Sequence, residues 1–205
     1  MFQIPDWAYE FHGHQCPFMP IGYRMGTIAM RELGVGRSLN HEMRVFSEMG
    51  DGHPQGCMQD GIQSATAATF GKGQMQKLYF GKVAAIFFWP GKGAVRIALR
   101  PEFVDKLSPH EFFQYRRKGV EPSDIPPQVS EDIIRMVLTA SEEELFSVKK
   151  LSDFTYQPIP GSFNKDKCEV CGEYVFERYL RLRDGIKICI PCAGADKEEK
   201  IVSLR

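Results

Sequence analysis

A chain of 205 residues with 43% apolar, 25% charged and 12% aromatic side chains is large enough for one ordinary domain and a small appendage, and its composition excludes a disordered or fibrous protein. The charges cancel, 26 Lys and Arg against 26 Asp and Glu, so bulk charge leaves no footprint for nucleic acid. No apolar run approaches the roughly 20 residues that span a bilayer, and residues 1–15 lack a charged and then apolar leader pattern. The expectation is therefore a cytoplasmic protein without a membrane partner, whose six cysteines serve metal or thiolate chemistry rather than disulfides.

After a polar opening segment, Pro17 to Leu33 reads as a helix: Ile21, Met25, Ile28, Ala29 and Leu33 recur at helical spacing and Gly34 supplies the stop. Met43 to Met49 alternates as a strand, broken by the glycine-rich Gly50 to Gly56. Small residues from Cys57 to Phe70, among them Gly61, Ala65, Ala67 and Ala68, predict a closely packed helix that ends at Gly71-Lys72-Gly73. Lys82 to Trp89 and Ala94 to Leu99, joined by Pro90-Gly91-Lys92-Gly93, read as a β-hairpin.

Ser108-Pro109-His110-Glu111 has the form of a capping box that opens a helix through Lys118, closed by Gly119. Two further helices follow the connector Pro122 to Pro127, with Ser130 and Ser141 as N-caps and Glu144 completing a box with Ser141. Gln157 to Ser162 reads as a linker.

Beyond the linker, Cys168 and Cys171 are two residues apart, as are Cys189 and Cys192, with 17 residues between the pairs. A tight turn aims two thiolates at one ion, and a hairpin returns the second pair to complete a tetrahedron, so the spacing predicts a closed, structural zinc site built from all four cysteines. Tyr174 to Arg183 and Gly185 to Ile190 fit the hairpin strands, with Tyr179, Arg181 and Arg183 on one strand face. That strip is a solvated face or a contact for nucleic acid or an acidic partner. Residues 161–205 hold nine Lys and Arg against eight Asp and Glu, which favours the solvated face.

A second concentration lies near the N-terminus. His12, His14, His53, Cys16 and Cys57 all fall within residues 12–57. In an extended segment His12, His14 and Cys16 would point to one side and clasp a metal, and imidazole with thiolate favours zinc, iron or copper over magnesium or calcium. Alternatively Cys16, just ahead of a helix, is a reactive thiol lowered by the helix dipole. Cys57 stands in the same relation to the next helix, with Asp60 and Ser64 on its face. The plain alternatives are a buried apolar Cys57 and turn histidines at 12 and 53.

Three motifs carry a resemblance: Phe11-His12-Gly13-His14-Gln15-Cys16-Pro17 through Gly22-Tyr23-Arg24-Met25-Gly26, then Cys57-x-x-Asp60-Gly61-Ile62-Gln63, then Thr69-x-Gly71-Lys72-Gly73. Over residues 8–160 the chain resembles the FmdE family, named after the FmdE component of molybdenum/tungsten formylmethanofuran dehydrogenase, and the C-terminal segment is similar to zinc fingers of the DksA/TraR type. The resemblance implies an α+β fold, with a mixed helix/sheet domain over residues 1–160 and a small zinc ribbon over 161–205. It also implies a homodimer and a molybdenum or tungsten enzyme as partner.

The same resemblance implies that His14, Cys16 and Cys57 converge as ligands of a second transition metal, zinc by their chemistry. His12 would contact a cofactor, Asp60 would act as base or supporting group, and Lys72 would meet an anion. Three protein ligands would leave one coordination position open. The competing expectation is a dimerising scaffold with buried cysteines, whose ribbon recruits a partner protein or nucleic acid. Two departures stand out: the family reads Gly-Cys-Thr where this chain has Ala67-Ala68-Thr69, which removes a thiol at Ala68, and Asn where it has Gln74.

Overall fold

The computed structural model describes residues 1–51, 55–158 and 160–194; His53, and Ile159 of the linker, lie outside the described residues. The chain divides between Tyr156 and Gln157 into two compact units. No helix among the described residues is long and apolar enough to cross a membrane.

The first unit begins with α1 (Asp6–His12), closed by Gly13 at φ +88° with its N–H on the Tyr9 carbonyl. A long helix follows, α2 (Phe18–Leu33), in which Met19, Ile21, Met25 and Ala29 are fully buried and Gly34 caps the end in the left-handed region. Strand β1 (Arg44–Ser47), helix α3 (Gln55–Thr66) and strand β2 (Met75–Lys77) then form a parallel crossover, Val45 opposite Met75. The predicted hairpin is present as β3 (Ala84–Trp89) and β4 (Gly93–Leu99).

Helices α4 (Pro101–Leu107), α5 (Glu111–Arg117), α6 (Pro127–Thr139) and α7 (Glu142–Leu145) lead into β5 (Phe146–Leu151). The sheet order is β2-β1-β3-β4-β5, antiparallel except for the β1–β2 pair. With the helices it makes an α+β fold.

Strand periodicity sorts the two sheet faces. Val45, Phe87, Val95 and Ile97 point into the main core with α2 and α3, while Phe46, Phe88 and Ala94 point the other way and are covered by Phe154 and Tyr156. Each large apolar side chain buried completely stabilises the fold by roughly 1.5–3 kcal/mol. The α2–α3 contact is closer than side chains allow: a Cβ on Gly22 would lie 1.9 Å from the Met58 carbonyl oxygen, and one on Gly61 would lie 2.0 Å from that of Met19. This backbone contact sets the starts of α2 and α3 side by side.

Several boundaries differ from the sequence expectation. The helix begun near Cys57 stops at Thr66, where Thr66 Oγ1 donates to the Ile62 carbonyl and accepts from the Ala68 N–H, and Ala67 turns at φ +60°. Ser108 does not open a helix. Its hydroxyl donates to the Val104 carbonyl at the end of α4, and the His110 imidazole caps α5 by accepting from the Phe112 N–H. Ser130 lies inside α6, which starts after Pro126. The Ser141–Glu144 capping box forms, but α7 is one turn long and runs straight into β5.

The second unit pairs β6 (Lys165–Lys167) with β7 (Tyr174–Phe176), and β8 (Leu180–Arg183) with β9 (Ile186–Cys189), before the short α8 (Ile190–Ala193). Tyr179 belongs to a 3-10 turn over Glu177–Tyr179, so the expected strip with Arg181 and Arg183 on one strand does not exist. Among the described residues of this unit the buried apolar set is Cys168, Ile188, Cys189 and Ala193. A core of that size does not hold a fold without a cross-link.

Candidate metal centre

His12 is the last residue of α1, and the left-handed turn at Gly13 swings the chain back so that His14 and Cys16 meet it. Their convergence comes from this helix cap, not from the extended segment the spacing suggested. Cys16 is 1% exposed and sits ahead of α2, whose Phe18 and Met19 N–H groups reach it. Cys57, in the first turn of α3, is 6% exposed and arrives through the close α2–α3 contact.

One donor atom from each of His12, His14, Cys16 and Cys57 lies within 4.8 Å of the other three. The two Nε2 atoms of His12 and His14 are 3.2 Å apart, Cys16 Sγ is 3.5 Å from His12 Nε2, and Cys57 Sγ is 3.7 Å from His14 Nε2. Tetrahedral zinc has bonds of about 2.05 Å to nitrogen and about 2.3 Å to sulfur, which puts donors about 3.3 Å (N···N) and about 3.6 Å (N···S) apart. The donor set and its spacing fit such an ion. His12, expected beside the cluster as a cofactor contact, is one of its four donors, so the geometry offers a closed set where three ligands and an open position were expected.

The surroundings prepare the donors. Asp60, one turn beyond Cys57 on α3, accepts from His12 Nδ1 at 2.9 Å, and with the proton on Nδ1 the Nε2 lone pair faces the cluster. Gln63 donates to the other Asp60 oxygen at 3.3 Å and accepts from the Phe70 N–H at 3.0 Å. Burial draws the His12 imidazole down, but hydrogen bonds to Asp60 and Cys57 and their charges outweigh it and raise its pKa to about 9, so an ion entering the cluster displaces a proton from Nε2. A hydrogen bond to Cys57 and burial push the Cys16 thiol well up, against the pull of the α2 N–H groups. A cation bound by both buried sulfurs would hold them as thiolates and release the Cys16 proton.

Tyr9 escaped the sequence reading because α1 did. Burial and the negative charges of Cys16 and Asp6 raise its phenol to about 12, and with Gln15 it lines a groove of 480 Å³ between α1 and α6. Lys72 is occupied elsewhere: its Nζ donates to the Ser38 carbonyl at 2.7 Å. Ala68, where the resemblance implies a thiol in related chains, is fully buried.

In the second unit Cys168, Cys171, Cys189 and Cys192 likewise bring their sulfurs within 4.8 Å of one another. The Cys189 N–H donates to Cys168 Sγ at 3.3 Å and the Cys192 N–H to Cys189 Sγ at 3.4 Å. The N–H groups of Cys171 and Cys189 lower the Cys168 thiol to about 6, while the hydrogen bond to Cys189 and burial raise Cys192 to about 12. Four such sulfurs in two turns fit a structural zinc. A groove of 660 Å³ on this unit, lined by residues such as Phe163, Lys165, Arg181 and Leu182, lies away from the sulfurs.

Comparison with known proteins agrees with both units. Residues 161–197 match the prokaryotic dksA/traR C4-type zinc finger. A protein of Archaeoglobus fulgidus described as a probable S-adenosyl-L-methionine-binding protein is 32% identical over 92% of this chain; the chain spans about half of that relative's length, 52%. A crystal structure of a tungsten formylmethanofuran dehydrogenase FmdE-like protein from Syntrophus aciditrophicus shares the fold, with a TM-score of 0.58, 19% identity, and coverage of 92% of this chain and 89% of that one. Residues 11–147 match the model described as FmdE, molybdenum formylmethanofuran dehydrogenase operon, and the chain belongs to the FmdE family.

Proposed function

We propose that the first unit holds a transition metal, zinc by preference, on His12, His14, Cys16 and Cys57, and that the protein serves molybdenum or tungsten enzymes of the formylmethanofuran dehydrogenase type. The observation that carries the metal reading is the meeting of two imidazole nitrogens and two cysteine sulfurs within 4.8 Å of one another, at separations that match tetrahedral zinc. An ion there takes the place of the proton that otherwise lies between the two Nε2 atoms, 3.2 Å apart. Two thiolates neutralise a divalent ion, which suits a site this buried.

Within that reading Asp60 is the group that fixes the His12 tautomer, through the 2.9 Å contact, and raises the basicity of its Nε2. The family's association with molybdenum and tungsten enzymes supports the metabolic assignment. A homodimer and a cytoplasmic, reducing setting belong to the same proposal, the latter because six cysteines outside any disulfide keep their thiols best there.

Elemental analysis of purified protein tests the metal reading, with two equivalents expected per chain. The double substitution Cys16→Ser, Cys57→Ser removes one equivalent and leaves the ribbon's zinc. A single equivalent in the wild-type chain, with Cys16 and Cys57 inert to alkylation, would instead identify the first unit as a scaffold.

A further inference from the structure

The ribbon presents an uncovered sheet face. Val175 of β7 packs against the cysteine core, so strand alternation sends Tyr174 and Phe176 to the opposite side, together with Lys167 and Lys165, their direct partners on β6. All four side chains are exposed, the two rings at 65% and 51%, and Phe163, two residues before Lys165, is 92% exposed. The ammonium groups of Lys165 and Lys167 lie 5.0 and 5.4 Å from the centre of the Tyr174 ring, so rings and cations share one surface. A lone exposed apolar side chain is ordinary, but neighbouring rings on one bare face mark a contact site.

Charge is sorted across this hairpin. Neither β6 nor β7 places a carboxylate on the ring-bearing face: Asp166 lies opposite Val175 and pairs with Lys187 Nζ at 2.6 Å. Glu169 accepts from the Lys187 N–H at 2.6 Å, and Glu177 accepts from Asn164 Nδ2 at 3.2 Å. The near-zero total charge of the unit therefore hides a locally positive face.

We propose that this face of the ribbon binds single-stranded nucleic acid, with bases stacking on Tyr174 and Phe176 and phosphates meeting Lys165 and Lys167. The ligand class follows from the pairing of flat rings with cations. An acidic peptide answers the ammonium groups alone and a duplex keeps its bases stacked inside, whereas a single strand supplies both base faces and phosphates. Alternate residues of a strand stand about 6.8 Å apart, within reach of successive nucleotides in an extended strand. Lys165 also borders the 660 Å³ groove together with Arg181, which offers a third cation to a following phosphate. The face lies wholly in the second unit and does not depend on the metal reading of the first.

Fluorescence anisotropy of a short labelled oligonucleotide, titrated with the full zinc-loaded chain at low salt, tests the assignment. The single strand is expected to bind more tightly than the same sequence as a duplex, with log affinity falling against log salt at a slope of about −1.4 to −2.1, for two or three phosphates. Tyr174→Leu is expected to weaken binding about ten-fold while Tyr174→Phe keeps the wild-type affinity. The double substitution Lys165→Ala, Lys167→Ala is expected to flatten the salt slope by about 1.4. These positions are exposed, so each variant is expected to keep the ribbon's zinc. No binding at low salt, equal affinity for the duplex, or unchanged affinity in Tyr174→Leu would each overturn the proposal. Polyglutamate bound as tightly as the strand would also overturn it and identify an acidic protein as the partner.

Discussion

Single residues settle several points that no element decides. Ala67 caps α3 at φ +60°, a conformation that costs a residue with a Cβ about 1–2 kcal/mol relative to glycine. Ala67→Gly is therefore expected to stabilise the first unit by about 0.5–1 kcal/mol, net of the greater freedom glycine has in the unfolded chain, read as a higher urea midpoint with an unchanged slope. A lower midpoint would show that Ala67 is not strained. Gln74 is buried and donates to Ser38 Oγ at 2.6 Å and to the Met43 carbonyl at 2.8 Å. It ties the loop before β1 to the start of β2.

Among elements, the α2–α3 pair matters most, because the close contact of two helices brings Cys16 to Cys57. Gly61→Ala would force a Cβ to within 2.0 Å of backbone, and the helices must part. We expect a loss of about 3 kcal/mol and a weakened first-unit metal, with the ribbon's metal unaffected; equal loss of both metals would separate the centre from this contact. The hairpin β3–β4 was legible because alternation and a glycine turn are local signals. Helix α1 was not: of its seven residues Ala8 alone is buried, so packing at its ends rather than a periodic apolar face makes it helical. Strand β5 reads Phe-Ser-Val-Lys-Lys-Leu and is exposed over four of six positions, and its place at the sheet edge follows from pairing with β4, which no local pattern announces. The same limit applied to the site. Histidines and cysteines near residues 12–57 announced it by density, yet the membership of His12 depended on a left-handed turn at Gly13.

At the scale of the whole molecule, two units with separate cores should respond to metal removal separately. The ribbon buries four apolar residues in its core among the described residues, whereas the first unit has a sheet packed on both faces. A strong chelator with a thiol reagent is therefore expected to unfold the ribbon first and expose it to protease, while the first unit keeps its helical circular dichroism. Simultaneous collapse of both would show that their stabilities are linked.

The sheet leaves two strands with an unpaired side, β2 and β5. Such borders are templates on which another extended chain adds, and they are the usual starting point of amyloid-like growth. Here β2 is only three residues long and β5 carries Lys149 and Lys150, both exposed. An incoming strand would have to bring its backbone alongside adjacent ammonium groups on one border and would find almost nothing to pair with on the other. These two borders of the five-stranded sheet are thus guarded against fibril-type self-association.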